Sequence, residues 1–287
     1  MQIRRALFVL AATMLLASVS LNAAMAQPAD APGRKITMVV GFAPGGGVDT
    51  LARVVAQELN DQAGYQVIVE NRPGAGSNIA AKAVAGAAPD GGIVLFTGNS
   101  YAINQTIYKN PGYATEDLRP IAIAALDSQA LAINAGNPAR TLADFLQSAK
   151  VKPPSFGFGG SSSRIIAAPI AELVPQAQQG KVRVLAVTGS KRSAAFPDVP
   201  MLTEAGFPGL EIHGWIGILA PSRTPDDIGE RLNAAVNAAV AKPSVNAKLR
   251  AMGYEPHQMP FAETAPFLKN SIETWRRMIL ATGMAIN

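Results

Sequence analysis

The feature that most constrains this chain is a buried-strand pattern that runs straight into a glycine-rich turn and then into an amphipathic helix. Residues 36–40 (ITMVV) are consecutive apolar or β-favouring residues, the signature of a strand covered on both faces. Residues 41–47 (GFAPGGG) follow, and Leu51, Val54, Val55 and Leu59 then recur at helical spacing. The unit repeats. Residues 66–70 read as a strand, 71–76 as a turn and 79–88 as an Ala-rich helix with Ser77 as its expected N-cap. A turn at 89–92 leads to a third strand at 93–96. A βαβαβ order with short connections implies a parallel sheet with right-handed crossovers.

The alternation continues to the C-terminus. Strands are expected at 121–126 and 130–134, on either side of a break at 127–129, and then at 155–159, 182–187 and 215–219. Helices are expected at 142–150 and at 225–242, the latter capped by Thr224. A last helix spans 261–282, broken or restarted near Pro266. The fold class is therefore α/β.

The first 26 residues lie outside that pattern. Arg4 and Arg5 precede an apolar run, and Ala24-Met25-Ala26 forms a small-residue cleavage site before Gln27. Residues 1–26 read as a secretory signal peptide and the mature chain as an exported protein. Removing the segment lowers the formal +5 charge by two. The remaining basic residues are scattered, without the clustering that nucleic acid requires. Cys is absent and His213 and His257 are distant in sequence, so thiol chemistry, disulfides and a metal site are not expected.

Candidate binding residues sit in turns that follow strands, where open α/β sheets take ligands. Phe42, Ala43, Pro44, Gly45, Gly46 and Gly47 let the backbone approach an anion at a helix start. Gly76 and Ser77, Thr97 and Asn99, and Ser161 and Ser162 supply three further Gly/Ser/Asn-containing turns. Asp49, in the first helical turn, is expected to hold the loop in shape or to meet an amino group. A dinucleotide enzyme is the first rival. Glu70 stands near the expected spacing of about 20 residues, but Thr50 occupies a position that needs Gly or Ala. An exported hydrolase is the second, with only His213 and His257 available as a base, Ser161 as a candidate nucleophile and no nucleophile elbow.

Several segments together resemble one family. They are residues 42–49 (FAPGGGVD) with Ala52 and Arg53, 69–76 (VENRPGAG), 88–91 (APDG), and 180–187 (GKVRVLAV) with Lys191, Arg192 and 197–200 (PDVP). Residues 204–206 (EAG), Trp215 and 220–225 (APSRTP) complete the set. The pattern is similar to the Bug receptors, the periplasmic substrate-binding component of tripartite tricarboxylate transporters. The resemblance implies a two-lobed, type II periplasmic-binding-protein-like fold with parallel-rich sheets and a hinge. Lobe 1 would comprise 27–129 and 222–287, and lobe 2 130–221. It also implies a periplasmic monomer, without cofactor or catalysis, that captures a small carboxylate and delivers it to a membrane permease. The carboxylate would be a dicarboxylate, tricarboxylate, aromatic acid or acidic amino acid. Family members carry a longer segment where this chain has only residues 164–179, so the second lobe is expected to be shortened. A degenerate receptor with lost or altered binding is the alternative.

Overall fold

In the computed structural model, residues 34–62, 64–151, 155–156, 164–189, 191–208 and 213–282 are described. The signal segment 1–26 and the Gly/Ser turn containing Ser161 and Ser162 lie outside these residues.

β1 (Arg34–Val40), α1 (Gly47–Gln62), β2 (Tyr65–Asn71), α2 (Asn78–Ala85) and β3 (Ile93–Gly98) form the expected opening unit. β1 and β3 are parallel neighbours, with Thr37 opposite Ile93. Residues alternate between two cores. Ile36, Met38 and Val40 pack with Leu51, Val55 and Leu59 of α1, while Val39 packs with Ala80, Ala81 and Val84 of α2. Both faces are covered, which is why the strand reads as a continuous apolar run.

After α3 (Asn99–Ile107), the long strand β4 (Leu118–Asn134) organises the rest. Its first part, Leu118–Ser128, pairs antiparallel with β8 (His213–Pro221), and Ala125–Asp127 also pair with β9 (Tyr254–Pro256). From Gln129 onward it pairs antiparallel with β6 (Arg164–Pro169) and β7 (Val182–Val187). The expected break at 127–129 is therefore a change of partners within one strand. The parallel-rich expectation holds for β1–β3 and for the short β5 (Ser155–Phe156) beside β6, whereas every pairing through β4 is antiparallel. Among the described residues the sheet path runs β2-β1-β3-β8-β4-β6-β5, with β7 and β9 also on β4.

The two stretches of β4 have separate cores. Around the second, Ile133, Leu142, Phe145, Ile165 and Leu185 cluster on one side, and Ala130, Ala168, Ile170, Leu173 and Val187 on the other. α4 (Leu142–Val151) and α5 (Ile170–Gln178) supply the covering residues. β8 belongs with the first stretch. It pairs with β3, Leu95 opposite Leu219.

Three local expectations are corrected. Ser77 precedes α2 in a left-handed conformation and makes no cap bond, because its hydroxyl pairs with Thr97 at 3.2 Å. Pro225, not Thr224, flanks α6 (Asp226–Ala241); the buried Thr224 presents its carbonyl to Arg119 at 2.9 Å. α8 (Phe261–Thr282) continues through Pro266. The proline forfeits the hydrogen bond that an N–H at this position would give the Ala262 carbonyl. α7 (Pro243–Ala251), with its proline at the helix start, links α6 to β9.

Candidate functional site

A cleft of about 380 Å³ lies where the β1–α1 loop, α3, the partner change in β4, α5 and β9 converge. Phe42, Ala43, Gly46, Gly47 and Val48 line it from the loop and the first turn of α1. The free N–H groups of a helix start thus border the cleft, as an anion site requires.

The loop is held by Asp49. This carboxylate is 2% exposed. It accepts the Gly45 N–H at 2.8 Å, Arg53 Nε at 3.0 Å and Asn71 Nδ2 at 2.8 Å. Asn71 Nδ2 also donates to the Phe42 carbonyl at 3.0 Å, tying the loop to the end of β2. Burial alone would push the Asp49 carboxyl up; the Arg53, Gly45 and Asn71 hydrogen bonds outweigh it and hold the group below its ordinary value. Of its two expected roles, shaping the loop is the one its contacts satisfy. Asp49→Ala should therefore remove a shared acceptor from three donors, costing about 1–3 kcal/mol, and should weaken ligand binding at least tenfold in calorimetry. Because the folded carboxyl titrates low, its contribution persists above the ordinary carboxylate range and is lost only as pH falls through the lowered folded value. The gap between wild type and variant should accordingly close in acid melts.

The other sequence candidates divide. Asn99 lines the cleft, and its Oδ1 accepts the Trp215 N–H at 2.9 Å. Pro44 and Gly45 belong to the loop but not to the cleft lining. Gly76 is exposed outside the cleft and presents its carbonyl to Asn104 Nδ2 at 2.8 Å. Ser77 and Thr97 are 3% and 0% exposed and bond each other. Ser77 packs directly against Gly41, so this hydroxyl pair lies behind the loop and outside the cleft lining.

Sequence reasoning missed Asp127, Gln129, Glu172 and Tyr254, which close the cleft from β4, α5 and β9. Asp127 had a signal, an acid ending an apolar run, but it reads equally well as a turn. Its side chain is 8% exposed and its Oδ1 is enclosed without a hydrogen-bond partner. Burial, and secondly the Glu172 charge, push its carboxyl up to about 7. Desolvation also pushes the Glu172 carboxyl up. Tyr254 stands opposite Asp127 in the β4–β9 register and its hydroxyl abuts Gly47. Burial, then the Asp127 and Glu172 charges, push that phenol up as well. A second cleft of about 240 Å³ shares Tyr254 and contains Lys191, Arg192 and Arg250, but none of the β1–α1 loop.

Solved structures share this architecture. The periplasmic binding protein BugD superposes with a TM-score of 0.78 at 24% identity, over 90% of this chain and 100% of its own. Rpa4515 of R. palustris, solved with adipate, gives 0.80 at 26% identity, over 90% of this chain and 100% of that one. MatC from Rhodopseudomonas palustris, solved with bound malate, gives 0.75 at 26% identity, over 87% and 100%. The fold and its cleft define a solute-binding protein of the periplasmic type.

The family described as tripartite tricarboxylate transporter family receptor matches residues 51–166 and 158–284. A UPF0065 protein of Bordetella bronchiseptica is 32% identical over 311 residues, covering 94% of this chain and 92% of the relative. BugT of Bordetella pertussis is 30% identical over 319 residues, covering 94% and 98%. This chain belongs to the tripartite tricarboxylate transporter receptor family, a family of solute-binding receptors and not of enzymes. The dinucleotide-enzyme and hydrolase alternatives fall with that assignment. Both alignments are longer than the 287 residues of this chain, so stretches of each relative have no counterpart here. The two family matches overlap at 158–166, at the start of the interval 164–179 that the sequence marks as short.

Proposed function

We propose that this chain is an exported periplasmic receptor that captures a small carboxylate in the 380 Å³ cleft and presents it, as a monomer, to the permease of a tripartite transporter. The observation that carries the reading is the Asp49-braced loop. It brings Gly46, Gly47 and the opening turn of α1 to the cleft wall, where backbone N–H groups take a carboxylate. The adipate and malate complexes of two relatives support the ligand class. The sheet built on the first stretch of β4, with residues 213–221 added to it, forms lobe 1, and the smaller sheet on the second stretch forms lobe 2. Closure of one on the other uses the partner change at Ser128 and Gln129 as its hinge. Residues 1–26 act as the cleaved export signal, and Ser161 and Ser162 contact the ligand from the second lobe. Among the described residues no helix is long and apolar enough to cross a membrane.

The test is a thermal-shift screen of the chain from Gln27 against dicarboxylates, tricarboxylates, aromatic acids and amino acids. A ligand at 100 times its Kd adds about 2.7 kcal/mol, a shift of several degrees. Gly46→Val should abolish that shift while leaving the unliganded melt cooperative. A Cβ at Gly46 meets only the Ala43 carbonyl oxygen, at 3.4 Å, whereas the added methyls obstruct the cleft wall. The second reading, a receptor that has lost binding, is favoured by the shortened interval. It predicts a cooperative melt that no carboxylate moves.

A further inference from the structure

The cleft carries a charge pattern that a simple dicarboxylate does not match. Asp127 and Glu172 both line it, and no Lys, Arg or His does so among the described residues. The protein as a whole is basic, with a formal charge of +5. The acidic lining is therefore a local property of this cavity.

Asp127 is the informative member. It is more than nine-tenths buried, it faces the cleft, and its Oδ1 is enclosed without a hydrogen-bond partner. A buried polar group left without a partner costs free energy that a bound ligand can recover. Its two cross-strand neighbours do not serve. Tyr254, opposite it in β9, sends its hydroxyl to Gly47, and Gly214, opposite it in β8, has no side chain to offer. The reach of Tyr254 also fixes the scale of the site. One tyrosine side chain links the Asp127 position to the first residue of α1, so a small molecule can touch both ends.

A ligand with two carboxylates would place one at the loop and bring the other toward two acids, with no cation among the described lining residues to offset them. A ligand with one ammonium group finds a buried acceptor and a second acid at the rim. We propose that the physiological ligand carries a cationic amino group as well as a carboxylate, and that Asp127, supported by Glu172, receives the amino group while the β1–α1 loop holds the carboxylate. This inference rests on the carboxylate-receptor reading above and narrows it to amino acids. The raised Asp127 carboxyl agrees with a site incomplete without its cation.

Matched pairs that differ only by the amino group test this on the protein from Gln27: L-aspartate against succinate, L-glutamate against glutarate, and 4-aminobutyrate against butyrate. Isothermal titration at pH 8 should show an aminated member binding at least tenfold tighter than its partner, the order of a charge-assisted hydrogen bond. Asp127→Asn should erase that preference while its melt stays cooperative. Glu172→Gln, at an exposed position, should reduce the preference and is safe for folding should the buried substitution fail. Equal or tighter binding of the deaminated partners, with both variants unchanged in preference, overturns the inference and leaves the carboxylate receptor standing. If none of the six compounds binds, the carboxylate reading fails on these probes and the amino-acid inference fails with it.

Discussion

Gly217→Ala should lower the stability of this protein by about 3 kcal/mol, the upper range for overpacking a close contact. Gly217 lies in β8 with β3 on one side and β4 on the other, opposite Thr97 and Ile123. A Cβ there would overlap the Ala122 carbonyl oxygen and approach Ile123 Cα at 3.1 Å. Both obstacles are backbone, so no side-chain rotation relieves them. β4 shifts register between Pro120 and Ala122 and again between Ile123 and Ala125, which brackets the contact. Moving β4 back would disturb the strand that both sheet stretches share. Thermal denaturation should show a fall of about 6–12 °C. Gly86→Ala is the control. Its Cβ would meet the Lys82 and Ala83 carbonyl oxygens at 3.8 and 4.0 Å, ordinary contact distances. A Gly217→Ala protein that melts with the wild type would contradict the close approach of β4.

The second large effect has the opposite sign. Asp127→Asn should raise the stability of the unliganded protein by about 2 kcal/mol or more at pH 8, since each pKa unit is worth about 1.4 kcal/mol. The folded carboxyl is pushed up to about 7 from an ordinary value of 3.8, by burial first and by Glu172 second. Below pH 4 the group is protonated in both folded and unfolded chains and costs nothing. As pH rises toward 7 the unfolded chain ionises freely and the folded one does not, so the fold loses stability over that window. Above 7 the cost is constant. Asparagine does not titrate and escapes it. Melting curves from pH 4 to 8 should therefore diverge with rising pH, the variant above the wild type. A difference independent of pH would mean that Asp127 titrates as an ordinary solvated carboxyl. Taken with the ligand experiment, the same substitution should stabilise the empty receptor and impair its selectivity, the usual trade at a preorganised site.

Much of the first sheet was legible in the sequence because its determinants are local. Residues 36–40 form β1 since a strand buried on both faces needs an unbroken apolar run, and α1 begins at Gly47 where the helical spacing starts. The loop between them was legible for the same reason, and Phe42, Ala43, Gly46, Gly47 and Val48 do reach one wall of the cleft. The role of Asp49 also followed from its place in a first helical turn, though its bond to Asn71 did not, since that partner lies in the next strand.

What the sequence did not show was anything decided by distant pairing. Ser77 and Thr97 look like ligand hydroxyls in any strand-to-helix turn, and only the packing of Ser77 beneath Gly41 turns them inward to each other. Residues 213–221 follow the second sheet in sequence, yet β8 inserts between β3 and β4. Asp127 sits in a stretch that reads as a turn between two short strands. Continuous β4, held on both sides by β8 and β9 and then by β6 and β7, makes it a buried acid at the junction. The sequence by itself determined the strand–loop–helix units, the family they belong to and the loop that borders the cleft, because each depends on residues within a few positions of one another. The tertiary structure alone decided which acids face that loop across the cleft, because Asp127 is enclosed by strands far apart along the chain and Glu172 arrives on a separate helix.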